Sequence, residues 1–139
     1  MTIQSLLNPG ARFLIALIFL ASGAGKIFAF EQTVVGMASV GFPSASFFLV
    51  CAILIELIAG TALLLGFRTR HAAAALIVFL IPATIMFHTQ FAADPVSGQE
   101  QIVHTLKNLA IIGGLLKFVA DGGGSFSIDN RPERKEMIF

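Results

Sequence analysis

Residues 47–70 read FFLVCAILIELIAGTALLLGFRTR, an apolar run interrupted once, by Glu56, and closed by Gly66 and two arginines. A helix crossing a hydrocarbon core roughly 30 Å thick needs about 20 such residues. The stretch therefore reads as a membrane span over 47–67, followed by a basic turn at Arg68 and Arg70. Three more apolar blocks lie around it, at 11–30, 72–91 and 98–121, and the four consume nearly all of the 139 residues. The expected fold class is all-α, an integral membrane four-helix antiparallel bundle. Its transmembrane domain covers 1–124, and a polar cytoplasmic tail, partly disordered, covers 125–139.

Composition removes the other classes. The chain is 56% hydrophobic and 12% charged, with a mean hydropathy of +0.87, whereas a soluble domain carries about 25% charged residues. A net charge of +1 leaves no basic face to neutralise nucleic-acid phosphates. The single cysteine, Cys51, excludes an internal disulfide and a CxxC redox pair. Tyr and Trp are absent, so the 14 phenylalanines must serve at the membrane interfaces, and a tyrosine radical or tyrosine proton donor is excluded.

Local signals place the boundaries. The small residues from Ala21 to Gly25 resemble a signal-peptidase site, but no positive charge precedes Arg12, so the first block reads as a retained span. Residues 31–42, EQTVVGMASVGF, are too short to cross and read as an interfacial helix between helices 1 and 2. Gly41 suits the left-handed position at its end, and Pro43 stops it. Pro82 removes the hydrogen bond to the carbonyl of Val78 and kinks the third span. Asp94-Pro95 marks a turn, and the capping pattern Ser97-Gly98-Gln99-Glu100 starts the last helix at Gly98. Arg68, Arg70, Arg131, Arg134 and Lys135 gather on one side, and Glu31, Asp94 and Glu100 on the other. The positive-inside rule then puts both termini in the cytoplasm.

Glu56 is the most informative residue. An ionisable group at mid-bilayer costs about 2.5–3.5 kcal/mol on insertion scales and needs a partner or a proton. Ala52, Ala59 and Gly60 share its helical face, where another helix can approach closely, and Gly23, Gly113 and Gly114 suit the same packing. Lys26 on the first span, His88 on the third, and Lys107 and Asn108 on the fourth lie at similar depth. Glu56 is expected to meet Lys107 or Lys26, with His88 and Asn108 in one ligand-binding cluster open to the outer leaflet. Two lysines against one carboxylate leave such a pocket positive, which suits an anion or a quinone carbonyl.

Plainer readings stand beside this one. Lys26 and Lys107 can snorkel to the headgroups, and Glu56 with one lysine can be a clasp that sets helix register. His88 and His104 are too thin a ligand set for haem or metal, so none is expected. His71 reads as a solvated loop residue. Cys51 stands about 140° around its helix from Glu56 and reads as a small apolar residue.

Six elements in order, SGAGK (22–26), VGFP (40–43), IELIAGTALLLGFRTR (55–70), FHTQF (87–91), KNLAIIGGLL (107–116) and SFSID (125–129), resemble the bacterial DoxX family over almost the entire chain. The resemblance implies a four-helix inner-membrane protein of quinol-oxidase-subunit type. It also implies links to thiosulfate:quinone oxidoreduction and to thiol-redox complexes. Lys26, Glu56, Gly60, His88, Lys107 and Asn108 fall on the family pattern, and His104 does not.

Three functions follow as alternatives. The first is a membrane redox component that holds a quinone or small redox substrate, with no covalent cofactor and with a partner subunit or soluble redox enzymes. The second is a non-catalytic scaffold that anchors soluble redox enzymes. The third is a conduit for protons or small molecules that relays through Glu56. Substrate and oligomeric state stay open, a homo-oligomer included.

Overall fold

The computed structural model describes residues 1–88 and 95–130, the side chains of residues 87, 88 and 95–97 excepted. Its elements are α1 (Ile3–Phe28), α2 (Phe30–Ser39), α3 (Ala45–Leu65), α4 (Thr69–His88), α5 (Pro95–Asp121) and a single 3-10 turn, Ile128–Asn130. Helices α1, α3, α4 and α5 are each long and apolar enough to cross a membrane, and no strand occurs among the described residues. The four alternate in direction. The start of α1, the α3–α4 turn and the end of α5 therefore meet at one end, here called the base, while α2 caps the other.

Three helix starts differ from the sequence expectation. Helix α1 begins at Ile3 and runs through Pro9, because proline's fixed φ is already helical and only one intrahelical bond is lost. Helix α5 begins at Pro95, where the missing N–H costs nothing in a first turn. Helix α4 begins at Thr69, three residues early, because a carboxylate from far along the chain caps it.

The expected end of α2 at Gly41 is in place, and Gly66 makes a second reversal of the same kind. Gly41 takes φ +88°, and the N–H of Phe42 bonds the carbonyl of Met37 at 3.2 Å, which ends α2. Gly66 takes φ +68°, and the N–H of Phe67 bonds the carbonyl of Ala62 at 2.8 Å, which ends α3 in the same Schellman pattern.

Packing is uneven along the bundle axis. Toward the base, Ala16 of α1, Leu63 of α3, Leu76 of α4 and Leu115 of α5 are fully buried in one shared core. Toward the α2 end the core shrinks to Met37, Ala45, Leu49 and Ile53, supplied by α2 and α3 alone. Neighbours in sequence pack well (α1 on α3, α3 on α4, α4 on α5), whereas α1 and α5 touch only sparingly. The core shared by all four spans lies toward the base, and the line between α1 and α5, here called the seam, is sparsely packed.

Residues 125–130, expected in the tail, are built into the base. Arg12, 1% exposed, donates through Nη2 to the carbonyls of Ser125 (3.1 Å) and Phe126 (2.9 Å). Asp129 accepts from the backbone N–H of Arg68 (2.6 Å), from that of Thr69 (2.7 Å) and from Thr69 Oγ1 (2.6 Å). Its own N–H returns a bond to the carbonyl of Gly66 at 2.9 Å. Residues 131–139, with Arg131, Arg134 and Lys135, lie outside the described residues.

Candidate functional site

Glu56 is 3% exposed in the middle of α3. Lys26 Nζ donates to both of its oxygens, at 2.8 and 2.9 Å, and to Ser22 Oγ at 2.6 Å. Ser22 Oγ in turn donates to Glu56 Oε1 at 3.1 Å. Ser22 and Lys26 are one turn apart on α1 and reach the carboxylate together. Glycine makes the approach close: a Cβ on Gly23 would lie 2.9 Å from Leu57 Cδ2, and one on Gly60 3.2 Å from Leu20 Cδ2. Ala59, between them in the contact, is buried.

Across the bundle, Asn108 is buried and donates through Nδ2 to Thr84 Oγ1 at 2.9 Å, and Thr84 donates to the carbonyl of Leu80 at 2.6 Å. The polar groups thus form two clasps, one joining α1 to α3 and one joining α4 to α5. Lys107 belongs to neither. It is exposed, with Nζ 3.2 Å from His104 Nδ1 one turn away. The side chain of His88 lies outside the described residues. Gly113 is exposed with nothing near it, while a Cβ on Gly114 would lie 2.7 Å from Ile15 Cδ1.

That last contact sets the geometry of the seam. From Ile15, two turns along α1 lead to Ser22 and one further turn to Lys26. From Gly114, two turns back along the antiparallel α5 lead to Lys107 and the next turn to His104. Ser22 and Lys107 therefore stand at one level, and Lys26 and His104 at the next, about 10 and 16 Å beyond the Ile15–Gly114 contact. At these levels the Lys26 side chain is 28% exposed, and Lys107 and His104 are exposed. Ser22 and Lys26 already direct their donors at Glu56 and at each other, so among Ser22, Lys26 and Lys107 it is Lys107 alone that keeps donors for a further molecule. Ile18 and Ile111 continue the two helix faces with apolar surface.

Two other cavities frame the choice. A crevice of about 240 Å³ between α2, α3 and α4 is lined by Met37, Phe42, Phe48, Cys51, Phe79, Pro82 and Met86, among others, and is almost wholly apolar. Cys51 faces it, away from Glu56. At the base, a polar cavity of about 440 Å³ is bordered by Arg68, Arg70, His71, Asp121 and Asp129. Burial there pushes the Asp129 carboxyl up. The bonds from Thr69 and Arg68 and the nearby Arg12 charge outweigh that and hold it below its ordinary value of 3.8. Sequence reasoning missed this base. The one signal was a lone arginine, Arg12, inside an apolar run.

The DoxX family model matches residues 9–89. The chain is 35% identical to "Inner membrane protein YqjF" of Escherichia coli K12, over 90% of this chain and 91% of the relative. It is 30% identical to "Inner membrane protein YphA" of the same organism, over 87% and 86%. It is also 30% identical to "Uncharacterized membrane protein Rv3486" of Mycobacterium tuberculosis H37Rv, over 89% and 80%. No solved structure matches. With four membrane-length helices, a family model covering more than half of its length and relatives aligned end to end, the chain belongs to the DoxX family.

Proposed function

We propose that this protein is the membrane component of a redox system and that it holds a quinone, or a small redox molecule of similar shape, in the seam between α1 and α5. The membrane is the bacterial inner membrane, with the base in the cytoplasm and the α2 end outside. The observation that carries this reading is the matching of levels, where Ser22 and Lys26 of α1 stand level with Lys107 and His104 of α5, two helices that touch only sparingly.

A quinone head needs donors for its carbonyl oxygens and apolar flanks for its ring. An ammonium has three N–H donors. Lys26 spends all three on Ser22 Oγ and the two oxygens of Glu56. Lys107 has one directed at His104 and two left over for a ligand oxygen. Ile18 and Ile111 flank the ring. The residues present thus fit the group, with Lys107 binding it and the Glu56–Lys26 pair holding α1 to α3 beside it. A bound quinone supplies two-electron, two-proton chemistry, and the partner that exchanges those electrons is a further subunit or soluble enzyme.

A photoreactive azidoquinone, applied to the purified protein in nanodiscs, tests the reading. Labelling of peptides that contain Ser22–Lys26 and His104–Ile111, competed away by excess unlabelled quinone, is the expected result. Labelling that competitor does not reduce would end it. The second reading, a scaffold for soluble enzymes, draws support from the exposed Arg68 and Arg70 at the polar cavity of the base. It predicts co-purifying enzymes released by Arg68→Glu and Arg70→Glu, with no specific labelling of the seam.

A further inference from the structure

We infer that the seam selects an anionic head on a long apolar tail, an ionised hydroxyquinone or a similarly acidic amphiphile, over a neutral quinone. This rests on the reading of the seam as the ligand site. The charges that face the seam come from three helices. Glu56 of α3 is neutralised by Lys26 of α1, which binds both of its oxygens. On α5, Lys107 has no carboxylate within ion-pair distance among the described residues. Glu100 lies two turns further toward the α2 end, about 10 Å from the Lys107 level and exposed at the mouth. Lys107 itself is about 14 Å along the span from Gly98, well inside the apolar segment.

A cation at that depth is tolerated when an opposite charge accompanies it. His104 Nδ1 accepts a hydrogen bond from the ammonium but brings no negative charge. An occupant with an anionic head would supply that charge. Its tail has a path as well. Ile18 of α1 and Val103 of α5 are both exposed, so a chain attached to the head can run along apolar surface and remain among the lipid tails. A water-soluble anion has no such path and would also leave this apolar surface uncovered.

Two tritiated ligands with identical alkyl tails decide the matter. A 2-hydroxy-3-alkyl-1,4-naphthoquinone is a vinylogous acid, ionised at neutral pH, and its 2-methoxy homologue is neutral. Binding is measured on the whole protein in nanodiscs, wild type and the exposed-site variants Lys107→Met and Lys107→Arg. The hydroxy compound should bind at least tenfold more tightly. Lys107→Met should weaken both compounds, the hydroxy compound at least tenfold more than the methoxy one so that the preference is lost, and Lys107→Arg should keep it. Equal binding of the two compounds, or equal weakening of both in Lys107→Met, overturns anion selection and leaves the quinone reading standing. Failure of both compounds to bind wild-type protein overturns the two proposals together.

Discussion

The carboxylate of Asp129 caps Thr69 from sixty residues away, accepting both its backbone N–H and its hydroxyl, and so starts helix α4 from beyond the end of α5. The first N–H groups of a helix have no partner inside it. Here the chain leaving the last span supplies one. Arg12 completes the arrangement from α1, so the base draws on α1, the α3–α4 turn and the segment after α5.

Removing this cap should cost stability. Asp129→Ala should lower it by about 1–2 kcal/mol, the usual range for a lost helix cap, read as a fall in thermal midpoint in detergent. A variant as stable as wild type would show that the turn at Arg68 holds without it.

Acid should act on the same residue. The Asp129 carboxyl is held below 3.8 in the folded protein, so its contribution is complete above its unfolded value and disappears as pH falls through the lower, folded one. Thermal midpoints should be level from pH 7 to 5 and fall below about pH 4. In Asp129→Asn that part of the acid slope should be absent.

Glu56 and Lys26 should prove strongly coupled. Breaking a buried ion pair from one side costs about 3–5 kcal/mol, because the other charge is left alone, whereas removing both partners costs less. Glu56→Gln and Lys26→Met should each destabilise more than the double variant does. Additive losses in a double-mutant cycle would mean that the two groups act independently.

Two glycines should respond in opposite ways to alanine. At Gly66, φ is +68° and a Cβ would collide with Arg12 Nη1 and Ser127 Cβ, so Gly66→Ala should cost more than about 1 kcal/mol. Gly113 has open space around it, and Gly113→Ala should leave the thermal midpoint unchanged or slightly raised. A large loss at Gly113 would reveal a partner on that face.

Orientation can be read from single cysteines placed at Arg70 and Gln99 in a Cys51→Ser background. A membrane-impermeant maleimide added to intact cells should label the Gln99 position and spare the Arg70 position. The reverse pattern would invert the topology, and labelling of both would contradict the four-span fold.

The sequence by itself determined what depends on neighbours along the chain. Apolar length marks four spans, Gly41 marks a helix end through its left-handed backbone, and the position of Glu56 in an otherwise apolar run requires a partner. None of these needs knowledge of how the helices are arranged. Only the tertiary structure decided which lysine answers Glu56, since Lys26 and Lys107 are equally placed by depth and differ in the rotation of α1 and α5 about their axes. The same holds for Asn108, whose partner is Thr84 and not the carboxylate. It holds also for Asp129, whose role depends on the tail folding back over the α3–α4 turn. Helical periodicity states which residues share a face. The partner of that face is set by packing over all the helices at once, through contacts such as Gly23 on Leu57 and Gly114 on Ile15, which brace α1 closely against α3 and only sparingly against α5.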